Sequence, residues 1–114
     1  MQIETVENGA TACVSLKGSL DIAGAEVVAL PLATLADAKQ SLIIDMSGVS
    51  FMASVAIRHL VSAAKTLSRR NGRLVLLNPT ALVTGVLQNS GLTDLLPVVH
   101  SESEGMAAIN QRPT

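Results

Sequence analysis

The sequence predicts an α/β fold, with a mixed β-sheet of about four or five strands opened by an N-terminal hairpin, and with four or so helices. The hairpin is indicated by Asn8-Gly9 between two strand-like runs, because both residue types tolerate positive φ. Crossover units are indicated by an apolar run at 42–46, helical spacing over 54–70 and a second apolar run at 73–77. Strands that alternate with helices are typical of an α/β sheet, and such crossovers are right-handed.

The hairpin is expected to consist of the strand-like runs at 2–6 and 11–17. Alternate residues of a strand point to opposite faces of the sheet. We therefore expect one face of the second strand to turn to the core through Ala12, Val14 and Leu16, and the other face to carry Cys13 and Ser15.

A long helix is predicted over 22–39, because apolar and small residues recur there at helical spacing, namely Val27, Leu30, Ala33 and Thr34. Pro31 interrupts this segment. A proline lacks the backbone N–H donor and costs about 3 kcal/mol in a helix interior. The sequence therefore predicts a kink, or two shorter helices that meet near Leu30.

The stretch from 42 to 61 contains the joint around which the other elements are expected to pack. A strand at 42–46 should end at Ser47-Gly48 and place Leu42, Ile44 and Met46 on one face. A helix should follow over 54–70, with Ser54 as its N-cap, since a serine there accepts from unpaired N–H groups of the first turn. Its apolar stripe comprises Ile57, Leu60, Val61 and Ala64.

The next segment continues the alternation of strands and helices. Asn71-Gly72 should end the preceding helix, and a strand at 73–77 should follow. Asn78 and Pro79 are predicted to be the N-cap and first residue of a third helix, which Gly91 ends with a left-handed C-cap. The buried stripe of this helix is expected to comprise Leu82, Val83, Val86 and Leu87.

The C-terminal region contains an apolar connection and a last helix. The run at 95–99 is expected to hold a short edge strand. Ser101 to Glu104 has the pattern of a capping box, which should begin a helix through Met106 and Ile109. Residues 111–114 are expected to form a frayed tail.

Four short motifs resemble those of a single family and occur in its order. Residues 45–57, DMSGVSFMASVAI, resemble a strand DLSGV followed by FIDSSGL, which opens a helix. The other three are residues 18–21 (GSLD), which resemble G-x-L-D, residues 71–79 (NGRLVLLNP), which resemble the following strand, and residues 86–92 (VLQNSGL), which resemble VLxxxGL. The family is that of STAS domains, named for sulfate transporters and anti-sigma factor antagonists. The resemblance spans most of the chain and implies the STAS fold.

One position departs from the family pattern. In relatives regulated by phosphorylation, the second serine of DSSG is the acceptor, and that position is Val55 here. Ala53 replaces the aspartate of the motif and Ala56 its glycine, so Ser54 alone is retained. The resemblance therefore implies a protein that lacks the usual phosphorylation switch and is constitutively competent for its partner. Phosphorylation of Ser54, one residue earlier, is the alternative.

Composition limits the classes of partner. The formal net charge is −1 and charged residues make up 15% of the chain, which disfavours binding to nucleic acid or to an anionic membrane. No apolar run approaches the roughly 20 residues of a membrane span, so we expect no direct membrane insertion. Cys13 is the only cysteine, which is consistent with a cytoplasmic location. Residues 1–114 are expected to form a single domain that folds as a monomer without metal or nucleotide.

Candidate catalytic or metal-binding residues are few. His59 and His100 are in no metal-ligand spacing, and the sequence contains no nucleophile elbow or phosphate loop. His59 is most simply a partly exposed helix residue, and Asp45 a strand-end residue that bonds N–H groups of the loop. We therefore predict no catalytic residue, metal or cofactor, and a protein that is not an enzyme. A nucleotide-binding domain with enzymatic activity is the weaker alternative.

The predicted partner-binding surface is the start of the 54–70 helix, where small and apolar residues form a patch without charge. It comprises Met52, Ala53, Ser54, Val55 and Ala56, with Arg58 and His59 at its exposed edge and Asp21 alongside. Two alternatives remain open: that Val55 packs inside, and that Asp21 serves only to cap the helix that follows it.

The resemblance implies two candidate functions. In regulated relatives this helix start docks an anti-sigma factor, a kinase-like ATPase, and a phosphate there blocks docking because its charge and hydration oppose burial. The first candidate is a bacterial cytoplasmic anti-sigma factor antagonist that binds such a kinase-like anti-sigma factor and releases a sigma factor. The alternative is a soluble STAS subunit of a membrane lipid-transport ATPase, bound to the transporter's nucleotide-binding subunit. The missing acceptor serine favours the alternative, since a transporter subunit needs no phosphorylation switch.

Overall fold

The computed structural model describes residues 1–89, 91 and 95–110, which form a five-stranded sheet and four helices. The elements in chain order are β1 (Gln2–Asn8), β2 (Thr11–Leu20), α1 (Ile22–Ala38), β3 (Ser41–Met52), α2 (Ser54–Ser68), β4 (Arg73–Leu77), α3 (Ala81–Asn89), β5 (Val98–Val99) and α4 (Glu102–Asn110). The strands lie in the order β1-β2-β3-β4-β5, with β1 antiparallel to β2 and the other pairs parallel. The predicted mixed α/β sheet is confirmed. Leu92 and the predicted tail at 111–114 lie outside the described residues.

The two faces of the sheet are covered by different helices. The larger core lies between one face and α1, α2 and α3, and the sheet contributes to it Ala12, Val14, Leu16, Leu42, Ile44 and Met46, as predicted. The opposite face is covered by α4 and carries a smaller cluster of Ile43, Val75, Leu77, Val99 and Ile109. Cys13 packs against this second cluster. The helices α1 and α2 therefore share one face, and they pack against each other there.

The strand β3 extends well beyond its predicted end at Ser47-Gly48. It continues beside β2 as far as Met52, with register shifts that accommodate the irregular stretch. Asp45 supports this stretch, since its Oδ1 accepts from the Ser47 backbone N–H at 3.0 Å and from the Ser47 hydroxyl at 2.7 Å. The longer strand brings its last residue level with Leu20, the last residue of β2.

The helix α1 is a single element although Pro31 lies within it, so the prediction of two shorter helices is wrong. Its buried residues are Gly24, Ala25, Val28, Leu32 and Ala36. The residues whose spacing predicted the helix lie on the other side, and Val27 and Leu30 are exposed. Because α1 is apolar on most sides, spacing identified the helix without identifying its buried face.

The helix α3 begins later than predicted. Its first turn is capped by Thr80, whose hydroxyl oxygen accepts from the Val83 N–H at 3.4 Å. Asn78, the predicted N-cap, instead has a φ of 50° in the turn after β4. In the predicted stripe, Val83 and Leu87 are buried and Leu82 is exposed.

The helix α4 begins with a variant of the predicted capping box, in which the Glu104 carboxylate binds the N–H of His100 and not that of Ser101. Glu104 donates its N–H to the Ser101 hydroxyl at 3.1 Å, and its carboxylate accepts from the His100 N–H at 3.0 Å. The predicted edge strand before it is β5. Within the described part of the chain, none of the helices combines the length and apolar character that crossing a membrane requires.

Candidate partner-binding site

The predicted site lies where β2 and β3 end side by side and α1 and α2 begin. Leu20 pairs with Met52 in the parallel ladder, and the Ala53 N–H donates to the Leu20 carbonyl at 2.8 Å. Parallel strands end at the same edge of a sheet, which is where ligands and partners of α/β folds commonly bind. This bond therefore holds the two helix starts next to each other.

The start of α1 is held by Asp21. Its side-chain Oδ1 accepts from the Gly24 N–H at 2.8 Å, which caps the helix as expected. Asp21 is exposed, so capping leaves it accessible to a partner. Gly24 lies against the end of β2, where a Cβ atom would be 2.2 Å from the Ser19 carbonyl oxygen. The first turn of α1 is therefore packed directly on the strand.

The start of α2 differs from the prediction. Ala53, and not Ser54, is the N-cap, and it makes no side-chain capping bond. Its carbonyl accepts from the N–H groups of Ala56 at 3.0 Å and Ile57 at 3.3 Å. Ser54 is the first helical residue and is exposed. The Ser54 hydroxyl is therefore not used to hold the helix end.

The predicted site residues differ in exposure. The exposed members are Asp21, Ser54 and Arg58, the half-buried ones are Ala53, Val55 and His59, and the buried ones are Met52 and Ala56. The side chains of Met52 and Ala56 belong to the core, so they form no part of the surface, contrary to the prediction. Val55 packs against the core on one side and is accessible on the other. Partner binding by the accessible residues remains a prediction.

Two large apolar side chains at this site were not predicted. Ile22 is 70% exposed and Phe51 is 47% exposed. With Asp21, Ala23 and Ala53 they line a shallow depression of about 400 Å³. Phe51 is the only aromatic residue of the chain, a signal that could have singled it out. Phe51 lies at the site because β3 continues past its predicted end, as far as Met52.

The side chains of this site are suited to binding a protein. Exposed apolar groups beside the carboxylate of Asp21 form the kind of patch that marks an interaction surface. In the described residues, no group of three or more histidine, cysteine, aspartate or glutamate side chains could hold a metal ion. On the opposite face of the sheet, burial, and then the charge of Glu102, raise the pKa of the Cys13 thiol.

Known structures share this fold. The unphosphorylated anti-sigma factor antagonist SpoIIAA of Bacillus superposes with a TM-score of 0.81 at 24% identity, over 99% of this chain and 100% of that one. An anti-sigma factor antagonist from Mycobacterium paratuberculosis gives 0.84 at 20% identity, over 96% and 94%. The murine anion transporter Slc26a9 gives 0.71 at 22% identity, over 88% of this chain but 18% of that one. At these identities the similarity shows a common fold.

The family assignment comes from the sequence. No curated protein matches the chain significantly. The sequence profile of the STAS domain matches residues 2–105, which include every strand of the sheet and the whole predicted site. The chain therefore belongs to the STAS domain family, as its motifs predicted.

Proposed function

We propose that the chain is a cytoplasmic bacterial binding module that acts as an anti-sigma factor antagonist. It would dock a kinase-like anti-sigma factor and so release a sigma factor for transcription. The observation that carries the proposal is the exposed apolar surface at the joint start of α1 and α2, which we call the helix-start corner. It comprises Asp21, Ile22, Phe51, Ala53, Ser54 and Val55. The family resemblance implies that anti-sigma factors dock at this same helix start.

The helix-start corner offers the elements that protein interfaces use. Phe51 and Ile22 can serve as anchors, because large apolar side chains that become fully covered contribute most of the affinity of an interface. Asp21 within it and Arg58 in the second turn of α2 are exposed charges, and charges at an interface govern orientation and the rate of association more than affinity. We therefore expect the partner to present an apolar pocket with charged groups around it.

Valine at position 55 implies that the chain is always competent to bind its partner. A phosphate adds nearly two charges and a strongly hydrated group, which would oppose docking on an apolar surface. Valine cannot accept a phosphate, so binding would be governed by the amount of protein and of partner.

A second candidate function is that of a soluble STAS subunit of a membrane lipid-transport ATPase. Two observations favour it: Val55 removes the phosphorylation switch, and the fold resembles part of the anion transporter Slc26a9. The same helix-start corner would then hold the transporter's nucleotide-binding subunit.

Recovery of the tagged chain from its native cells tests both candidates, with bound proteins identified by mass. We expect a kinase-like anti-sigma factor; a transporter nucleotide-binding subunit would support the second candidate instead. The Phe51→Asp variant should lose the partner. The Leu82→Asp variant is the matched control, because Leu82 is also exposed, at 58%, but lies on α3 outside the corner. Equal recovery by both variants would exclude the helix-start corner as the docking surface.

A further inference from the structure

The helices α1 and α2 lie side by side and in register. They follow parallel neighbouring strands, in which Leu20 pairs with Met52, so each residue of α1 is level with the residue 32 positions later in α2. The far ends agree with this offset. The guanidinium of Arg70, just after α2, donates to the carbonyl oxygens at the end of α1, those of Ala36, of Asp37 at 3.0 Å and of Lys39 at 2.9 Å. The levels are therefore matched along the whole length of both helices.

Opposite charges occupy the same two levels on the outer face. Glu26 of α1 is level with Arg58 of α2, and Asp37 of α1 is level with Arg69 at the end of α2. All four residues are exposed. None of them forms an ion pair in the described part of the chain, where Lys39 pairs with Glu7. The outer face is thus divided lengthwise into an acidic half on α1 and a basic half on α2.

Between these charged levels lies an exposed apolar knob beside a shallow groove. Leu30 is 73% exposed on the outer side of α1. The groove between α1 and α2 has a volume of about 200 Å³ and is lined by the small residues Ala29, Ala33, Ser62 and Ala63 together with Asp37, His59 and Thr66. Because Leu30 is level with Ser62, the knob and the groove lie at the same height along the helices.

We propose that this outer face of α1 and α2 binds a second copy of the chain. A rotation by 180° about an axis parallel to the helices keeps every level and exchanges α1 with α2. Glu26 of each copy then faces Arg58 of the other, and Asp37 faces Arg69. Leu30 of each copy then meets Ser62 of the other, on the α2 side of the groove. The face is complementary to itself, as a two-fold symmetric contact requires.

The size of the face predicts a weak, reversible dimer. A helix of 17 residues is about 25 Å long, and two neighbouring helices about 10 Å apart cover roughly 500 Å² per copy. The total of about 1,000 Å² is at the lower end for specific interfaces. Exposed ion pairs add little affinity and mainly set the orientation. Association this weak is compatible with the prediction that the domain folds as a monomer.

Sedimentation equilibrium at low salt tests the proposal. We expect the native chain to dimerise reversibly below millimolar concentration. Glu26→Arg makes one level wholly basic and Arg58→Glu makes it wholly acidic, so each variant alone should associate about tenfold more weakly. An equimolar mixture of the two variants should regain association as a heterodimer, because every acidic side chain then faces a basic one again.

Two further variants separate this face from the rest of the surface. Leu30→Asp should be monomeric, whereas Leu82→Asp, which changes another exposed leucine, on α3, should dimerise like the native chain. Circular dichroism and thermal melting show that each variant is folded. A native chain that stays monomeric up to about 1 mM would overturn the proposal. So would a mixture that associates no better than its components, or a dimer that persists in folded Leu30→Asp.

Discussion

The backbone N–H of Ala53 donates to the carbonyl oxygen of Leu20 at 2.8 Å, and this bond joins the starts of the two helices that form the proposed docking surface. Ile22 and Phe51 belong to the segments on either side of it, so their separation is set by the backbone of the sheet. A surface held in this way needs little ordering when it binds, which favours affinity.

The helix-start corner is tested quantitatively by binding calorimetry with the recovered partner. Val55→Asp and Phe51→Asp should each lower affinity by about 30-fold or more, since loss of a covered apolar anchor together with burial of a charge costs at least about 2 kcal/mol. Phe51→Asp should leave the fold unaffected, because Phe51 is half exposed. A folded Val55→Asp protein that binds with native affinity would contradict the assignment.

The absence of the phosphorylation switch is tested by intact mass after incubation with a cognate kinase-like anti-sigma factor and ATP. We expect no added phosphate on the native chain and one added phosphate on Val55→Ser, which restores the acceptor. The structure removes one obstacle to the alternative, because the Ser54 hydroxyl is exposed and does not cap α2. A phosphate on the native chain that disappears in Ser54→Ala would show that Ser54 is the acceptor.

Two glycines in helices should respond to alanine with opposite signs. Alanine normally stabilises a helix by about 1 kcal/mol relative to glycine. Gly85 of α3 has open space around its Cβ position, so Gly85→Ala should raise the free energy of unfolding by up to that amount. At Gly24 the Cβ would lie 2.2 Å from the Ser19 carbonyl oxygen. Gly24→Ala should therefore lower the free energy of unfolding by about 2 kcal/mol. Urea denaturation measures both, and a stabilised Gly24→Ala would contradict the packing of α1 on β2.

Arg70 should contribute to stability through the end of α1. Its guanidinium satisfies carbonyl groups that have no partner within the helix, so Arg70→Ala should cost about 1–2 kcal/mol in urea denaturation. Arg69→Ala is the control, because its exposed side chain makes no hydrogen bond or ion pair in the described structure. Equal losses for the two variants would mean that charge near the helix ends matters and the hydrogen bonds do not.

The Cys13 thiol should titrate above its ordinary pKa. Burial, and secondarily Glu102, raise the pKa and favour the neutral thiol in the folded chain. The resulting stabilisation is present below the ordinary thiol pKa and is lost as the pH rises through the raised value. Alkylation rates followed against pH should have a higher midpoint in the folded chain than in urea. Glu102→Gln should lower the folded midpoint only part of the way, and a full return to the urea value would make Glu102 the main cause.

The sheet could be predicted largely because its signals are local. Asn8-Gly9 marks the hairpin, and the apolar run at 73–77 coincides with β4. The length of β3 could not be predicted in this way, because residues after Ser47 remain in the strand through their pairing with β2, a contact distant in sequence. For the same reason the N-cap of α2 is Ala53 and not the predicted Ser54. The Ala53 N–H donates to the carbonyl of Leu20 at the end of β2, which is also distant in sequence.

The sequence predicted where the helix α2 begins, and it predicted only in part which residues are exposed there. The family motif identified the start of α2, where Ser54 and Val55 are accessible. Burial of Met52 and exposure of Ile22 depend on how α1 and β3 meet in three dimensions, which no local pattern contains. The outer face of α1 was missed because its apolar residues predicted a helix equally well whether they pointed inward or outward.

The exposure of Phe51 has a practical consequence for measuring binding. The chain contains no tryptophan or tyrosine, so it emits almost no light under the excitation used for protein fluorescence. Replacing Phe51 by tryptophan would place a single indole in the depression of the helix-start corner. A non-fluorescent ligand that covers this depression would alter the emission, whereas contact elsewhere would leave it unchanged. Because the chain has no tryptophan or tyrosine of its own, this emission would report binding at the helix-start corner alone.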